Sequence, residues 1–153
     1  MKRAIAADSR NPIAHYYYAR TLAQLDREDA LSDEESATKN EMLRTHLTRS
    51  IELDPAFLES YKQLASLNLA LGEQLEETET LLRNALSMTP GRQDMALLLG
   101  QTMLRMNKTA GARAILLPLS RVGGNPEVQK QAELVLKNLD LYSGDLDAVR
   151  ESL

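Results

Sequence analysis

The sequence predicts an all-α chain of repeated antiparallel helix pairs, and three observations carry that expectation. Glycine and proline are scarce, seven and five in 153 residues, which leaves little material for the turns of an all-β fold. Four prolines, Pro12, Pro55, Pro90 and Pro126, follow helix-like runs at intervals of 43, 35 and 36 residues. A recurring interval of this size marks a repeat architecture. The stretch from Leu58 to Pro90 is the clearest unit. It has two runs with apolar residues three to four apart, a tight turn at Gly72, and a proline whose ring stops the second run.

Taken in order, residues 1–11 read as the end of a preceding unit, with Met1–Ala7 closing a helix whose start is missing. Residues 12–55 form the first unit, its first helix running from about Pro12 to Leu25. An acidic insertion, 26–35 (DREDALSDEE), then holds six acids and one arginine, so most of the formal charge of −4 sits there. Ser32 and Glu35 fit a capping box, in which the serine accepts from an early amide and the glutamate reaches back. The second helix therefore starts near Asp33 and reaches Leu53, with an apolar stripe of Leu43, Leu47 and Ile51. Its remaining faces, with Lys39, Asn40, Arg44, His46 and Arg49, are read as polar.

Residues 56–90 are the second unit and 91–125 the third. In the third, Thr109 is expected to cap the second helix, Pro118 to kink or end it, and Gly123-Gly124 to finish the segment. Asn125 and Pro126 start the next helix as N-cap and first residue, running to about Leu141 with Val128, Ala132, Leu136 and Leu139 on one face. Gly144 to Val149 reads as the opening of a further helix, making 126–153 a partial fourth unit. The whole, 1–153, is read as a single domain cut mid-unit from a longer protein, with Met1–Ala7 and Leu146–Leu153 as partial caps or as exposed apolar ends.

Composition narrows the function. Hydrophobic residues make up 43% and charged residues 26%, a globular balance, and with no tryptophan and one phenylalanine the core must be mostly Leu, Ala, Met and Tyr. The negative charge argues against a nucleic-acid partner. The absence of cysteine excludes disulfides and thiolate chemistry and leaves both cytoplasm and periplasm open, the former slightly favoured. No signal-peptide apolar region follows Met1, and no run approaches the ~20 apolar residues of a membrane span.

Chemistry finds few candidates. His15 and His46 fall on different helices without metal-ligand spacing, and are read as surface or core-edge residues. The acidic insertion lacks the central glycine and alternating oxygens of a calcium loop, so it reads as a solvated turn. No phosphate loop or nucleophile set is present in the spacing, and neither cofactor nor metal is expected. The aromatic run His15-Tyr16-Tyr17-Tyr18 is the best functional candidate, because four consecutive helical residues point in four directions and cannot all be core.

The unit opening at Leu58 gives Tyr61, Leu64-Ala65, Gly72, Leu82, Ala85 and Pro90. The next gives Ala96, Leu99-Gly100, Met103, Ala112, Leu116, Leu119 and Pro126, and the first Tyr18-Ala19, Leu22, Leu43, Leu47, Ile51 and Pro55. In this pattern the chain resembles the tetratricopeptide repeat family, whose units of about 34 residues place small residues where two helices pack closely. Thr78 and Leu43 stand where the family has alanine, and Ala96 replaces its aromatic.

The resemblance implies a right-handed α-solenoid and a non-catalytic module that binds a peptide or helical segment of a protein in a concave groove. A structural or self-associating scaffold segment, attached to a larger and even enzymatic protein, is the alternative. By the family's alignment Tyr18 takes a buried position and the groove is lined by Tyr16, Tyr17 and Arg20, then Lys62, Gln63 and Ser66, then Leu97, Gln101 and Arg105. Tyr16 and Tyr17 packing on a preceding unit is the competing reading. The two-carboxylate clamp of chaperone-binding members is missing, since its positions carry Tyr16, Arg20, Gln63, Asp94 and Leu98.

Overall fold

The computed structural model describes residues 9–25, 31–121 and 124–151. The expectations for Met1–Ala7, for the first half of the acidic insertion and for Gly123 lie outside the described residues. Seven helices are described: α1 (Pro12–Leu25), α2 (Asp33–Leu53), α3 (Leu58–Leu71), α4 (Leu75–Met88), α5 (Gln93–Arg105), α6 (Thr109–Leu119) and α7 (Pro126–Glu151). Among the described residues there is no strand, and the architecture is the all-α helical repeat that the period of the prolines predicts. Contacts group into two compact units, Met1–Ala70 and Leu71–Leu153.

In the first unit, α1 begins where Asn11 Oδ1 accepts from the amides of Ile13 and Ala14, with Pro12 as first residue. Its fully buried residues are His15 and Ala19, one turn apart. Tyr18 is only half-buried, which corrects the expectation that it fills a core position. α2 starts at the expected capping box: the Glu35 amide donates to Ser32 Oγ at 3.2 Å and the Ser32 amide to Glu35 Oε1 at 3.3 Å. Leu43 and Leu47 are buried as expected, but the stripe extends to Lys39 and Ser50 rather than centring on Ile51. Lys39 lies one turn before Leu43, so its aliphatic stem continues the apolar face.

Ser50 ties three helices of this unit together. Its hydroxyl donates to the Pro12 carbonyl at 2.7 Å and shares a 2.6 Å hydrogen bond with Ser60. α3 buries Leu58, Ser60, Tyr61, Leu64, Ala65 and Asn68. Tyr61 closes the α2–α3 corner by donating to the Pro55 carbonyl at 2.6 Å. Arg44 Nε donates to the buried Asn68 Oδ1 at 2.8 Å.

In the second unit, Gly72 adopts φ +67°, the left-handed conformation that costs a side-chain-bearing residue a steric penalty. The Thr78 hydroxyl, fully buried on α4, donates back to the Gln74 carbonyl at 2.7 Å, which is how threonine occupies a position where the repeat has alanine. Just past the end of α5, Asn107 takes φ 62°, with the Lys108 amide donating to the Met103 carbonyl and the Asn107 amide to the Leu104 carbonyl. These two bonds are a Schellman closure with asparagine in the glycine position.

Thr109 does not cap α6: Lys108 stands at the cap position, and no side chain makes a cap hydrogen bond. α6 ends one residue after Pro118, as a proline in the last turn requires. Asn125 Oδ1 accepts from the amides of Glu127 and Val128, so the expected start of α7 is found. α7 then continues unbroken through Gly144 to Glu151, where a break was expected. A single glycine weakens a helix by only about 1 kcal/mol, and no proline follows it to force a stop. The core here is Leu97, Leu116, Val128, Ala132 and Leu136, flanked by Leu104, Leu119 and Val135.

Glu79 of α4 binds Lys108 Nζ at 2.6 Å and Arg83 Nε at 3.1 Å, fastening α4 to the α5–α6 corner. These hydrogen bonds, that of Lys108 first, hold its carboxyl below the ordinary value despite partial burial. A depressed carboxyl stabilises the fold fully above its unfolded pKa, and that contribution is lost as pH falls through the folded value. Because both cations are about half exposed, solvent screening limits the effect. Glu79→Gln should therefore cost about 1 kcal/mol at pH 7. The difference from wild type should close in parallel urea melts as pH falls below the ordinary carboxylate range, because the native carboxyl then loses its charge as well.

Candidate functional site

The first unit carries a continuous aromatic cluster. Tyr16 stands edge-to-face with Tyr17 (centroids 5.3 Å apart, planes at 67°) and with Phe57 (5.2 Å, 87°). The Arg20 guanidinium lies 5.8 Å from the Tyr16 ring centroid, within range of a cation–π contact. Tyr17 is 54% exposed and neighbouring Ile13 is 48% exposed, so the cluster reaches solvent at α1 while Tyr16 and Phe57 brace it from behind. Helical geometry explains the grouping: Ile13, Tyr16, Tyr17 and Arg20 are spaced three to four apart and share one face.

On α3 of the same unit, Lys62 and Gln63 are half-buried and Ser66 is exposed. Gln63 Oε1 is buried and has no hydrogen-bond partner among the described residues. An acceptor in that state is an exception among buried polar atoms.

The second unit departs from the expected groove set. Leu97 is 7% exposed and packs with Leu116, Val128, Ala132 and Leu136, so it is core and is removed from the list of surface candidates. The arrival of α7 against α5 buries it. The Arg105 guanidinium lies against the Gly72 turn, where an added Cβ would sit 2.5 Å from its Nη2. Gln101 is half-buried. Asp94 is held by Arg92 through two contacts of 2.9 Å and also accepts from the Met95 amide.

Sequence reasoning missed two things. Phe57 lies in the α2–α3 corner, outside any first helix, and only its place just before Leu58 could have suggested it. The two histidines were assigned to separate helices with no relation; the fold brings His15 Nδ1 to 2.9 Å from His46 Nδ1. His15 is 1% exposed and its Nε2 meets the Ser9 carbonyl at 2.7 Å. Tyr18 packs on the His46 ring with centroids 4.3 Å apart. Burial, then the charge of His15, lowers the pKa of His46. Among the described residues no group of three or more His, Cys, Asp or Glu could hold a metal ion, and no helix is long and apolar enough to cross a membrane.

Consecutive helices joined by short corners, with buried stripes that repeat, define an α-helical repeat protein. The tetratricopeptide repeat family model matches residues 68–134, from the last turn of α3 into α7, and over that stretch the chain is similar to the tetratricopeptide repeat family. No curated protein and no solved structure matches it. Repeats of this family generally mediate protein–protein interaction, and the family is typically non-catalytic.

Proposed function

We propose that this chain is a non-catalytic interaction module that binds an extended or helical segment of a protein partner on the aromatic face of α1. The observation that supports this reading is the Tyr17–Tyr16–Phe57 cluster. It offers a large, rigid, solvent-accessible area with hydroxyl groups at its edge, and such tyrosines contribute binding area at low entropic cost. Arg20 adds a charge beside the rings, and Lys62, Gln63 and Ser66 supply polar groups on α3 of the same unit. Gln101 and Arg105 belong to the second unit and are assigned to its own surface.

A displayed library of random linear peptides, selected on the protein, tests this reading. Enriched peptides should bind wild type and lose at least about tenfold in affinity on Tyr17→Ala, the range of an aromatic anchor. Tyr17 is exposed, so helicity should not change. No enrichment, or equal binding by Tyr17→Ala and Arg20→Glu, would remove the α1 face as the site.

A second reading, self-association, has its own support in Leu134, 58% exposed, and Leu117, 43% exposed. It calls for a solution mass that rises with concentration above 17.1 kDa and returns to that value in Leu134→Lys. A constant monomer mass would end it.

A further inference from the structure

We propose that the His15–His46 pair is an acid-sensitive latch on the first helix pair: with a single proton between the two Nδ1 atoms it holds α1 to α2, and with a second proton facing the first it lets α1 go. The hydrogen-bond network fixes the starting state. The Ser9 carbonyl only accepts, so His15 Nε2, 2.7 Å away, carries a hydrogen. Neutral His15 then has a bare Nδ1, and the proton in the 2.9 Å contact belongs to His46 Nδ1.

Protonation proceeds in two unlike steps. The first proton enters at Nε2 of His46, and the bond to His15 survives as a charge-assisted one. The second has only His15 Nδ1 left. It would place two N–H groups head to head across 2.9 Å, with both rings cationic and His15 1% exposed. A buried charge whose new N–H meets another donor is strongly disfavoured, so the folded pair resists this step and yields by separating the helices.

Among the described residues the surroundings offer no relief. Tyr18 from α1, an uncharged phenol, covers the His46 ring. The segment before α1 presents the Ser9 carbonyl, with Arg10 following it in the chain. On α2 the next charged residue after His46 is Arg49, which is turned to Glu52 at 3.4 Å. Among the described residues no charged group from α3 bonds to either ring. Burial and the charge of His15 both lower the pKa of His46, which agrees with a pair that is neutral at pH 7. The sign follows: an unfolded histidine takes its proton near pH ~6.5, before the folded one does. The latch is at full strength above that value and weakens as pH falls below it.

Histidine-selective NMR of the intact chain, titrated from pH 8 to 4.5 with EDTA present, tests this together with amide exchange. The His46 resonances should report more than one protonation event rather than a single-site curve. Amides of α1 should lose protection through the second step. His15→Phe/His46→Leu, which replaces both partners with apolar groups, should keep α1 protected to the acid end. His46→Gln, whose amide donates without taking a proton, should do the same and serves if the double variant does not fold. Two independent single-site curves, or equal loss of α1 protection in wild type and His46→Gln, would overturn the latch. The readout is on α1 itself and needs no partner, so its failure is separable from that of the binding face.

Discussion

Gly100→Ala is expected to destabilise the chain by about 1–3 kcal/mol, although alanine is the better helix former by about 1 kcal/mol. A Cβ at this position would lie 2.7 Å from both Cγ and Cδ2 of Leu116, closer than packed carbon atoms approach. Leu116 cannot retreat, because it is fully buried among Leu97, Val128, Ala132 and Leu136. Leu116→Ala alone should cost about 2–5 kcal/mol, through lost burial and the cavity left behind. Combined, the two changes should cost about 1 kcal/mol or more less than their sum, because the new methyl at position 100 occupies space that leucine vacated. Urea unfolding of the four proteins in the cycle measures this. Strict additivity would mean that Gly100 is not there to admit Leu116.

Ser50→Val should cost about 1–3 kcal/mol, large for a change of similar shape, because it strands the buried Ser60 hydroxyl. The Ser60 hydroxyl loses its acceptor inside a site where both serines are fully buried, while the Pro12 carbonyl loses its second donor and keeps the helical bond from the Tyr16 amide. The paired change Ser50→Ala/Ser60→Ala should be milder than Ser50→Val, since it removes the hydroxyl that Ser50→Val strands. Chemical denaturation ranks the variants. A double change worse than Ser50→Val would show that packing, not hydrogen bonding, holds this corner.

What the sequence made legible follows from its periods. Helix limits came out where a local signal exists: Asn11-Pro12, the Ser32–Glu35 box, Gly72 and Asn125-Pro126 each act on the backbone within a turn or so of themselves. The aromatic face of α1 was legible for the same reason, as three-to-four spacing puts Tyr16, Tyr17 and Arg20 together. What failed depends on a neighbour. Leu97 was assigned to a surface because its helix does not reveal that α7 will cover it. Lys39 was placed on a polar face by its charge, while its position one turn from Leu43 put its stem inside. Thr109 lost its cap role to the helix limit itself, which begins with that residue. The histidine contact joins residues 31 positions apart, and no local pattern encodes such a distance.

The tyrosines divide unevenly between the two units. Tyr16, Tyr17, Tyr18 and Tyr61 lie in the first, Tyr142 alone in the second, and there is no tryptophan. Intrinsic fluorescence and near-ultraviolet dichroism therefore come mostly from α1 and α3, whereas far-ultraviolet dichroism takes in every described helix. The molecule carries its own optical label for one half. Melting curves recorded by the two methods coincide only if both units unfold together, and their separation measures how far each stands without the other.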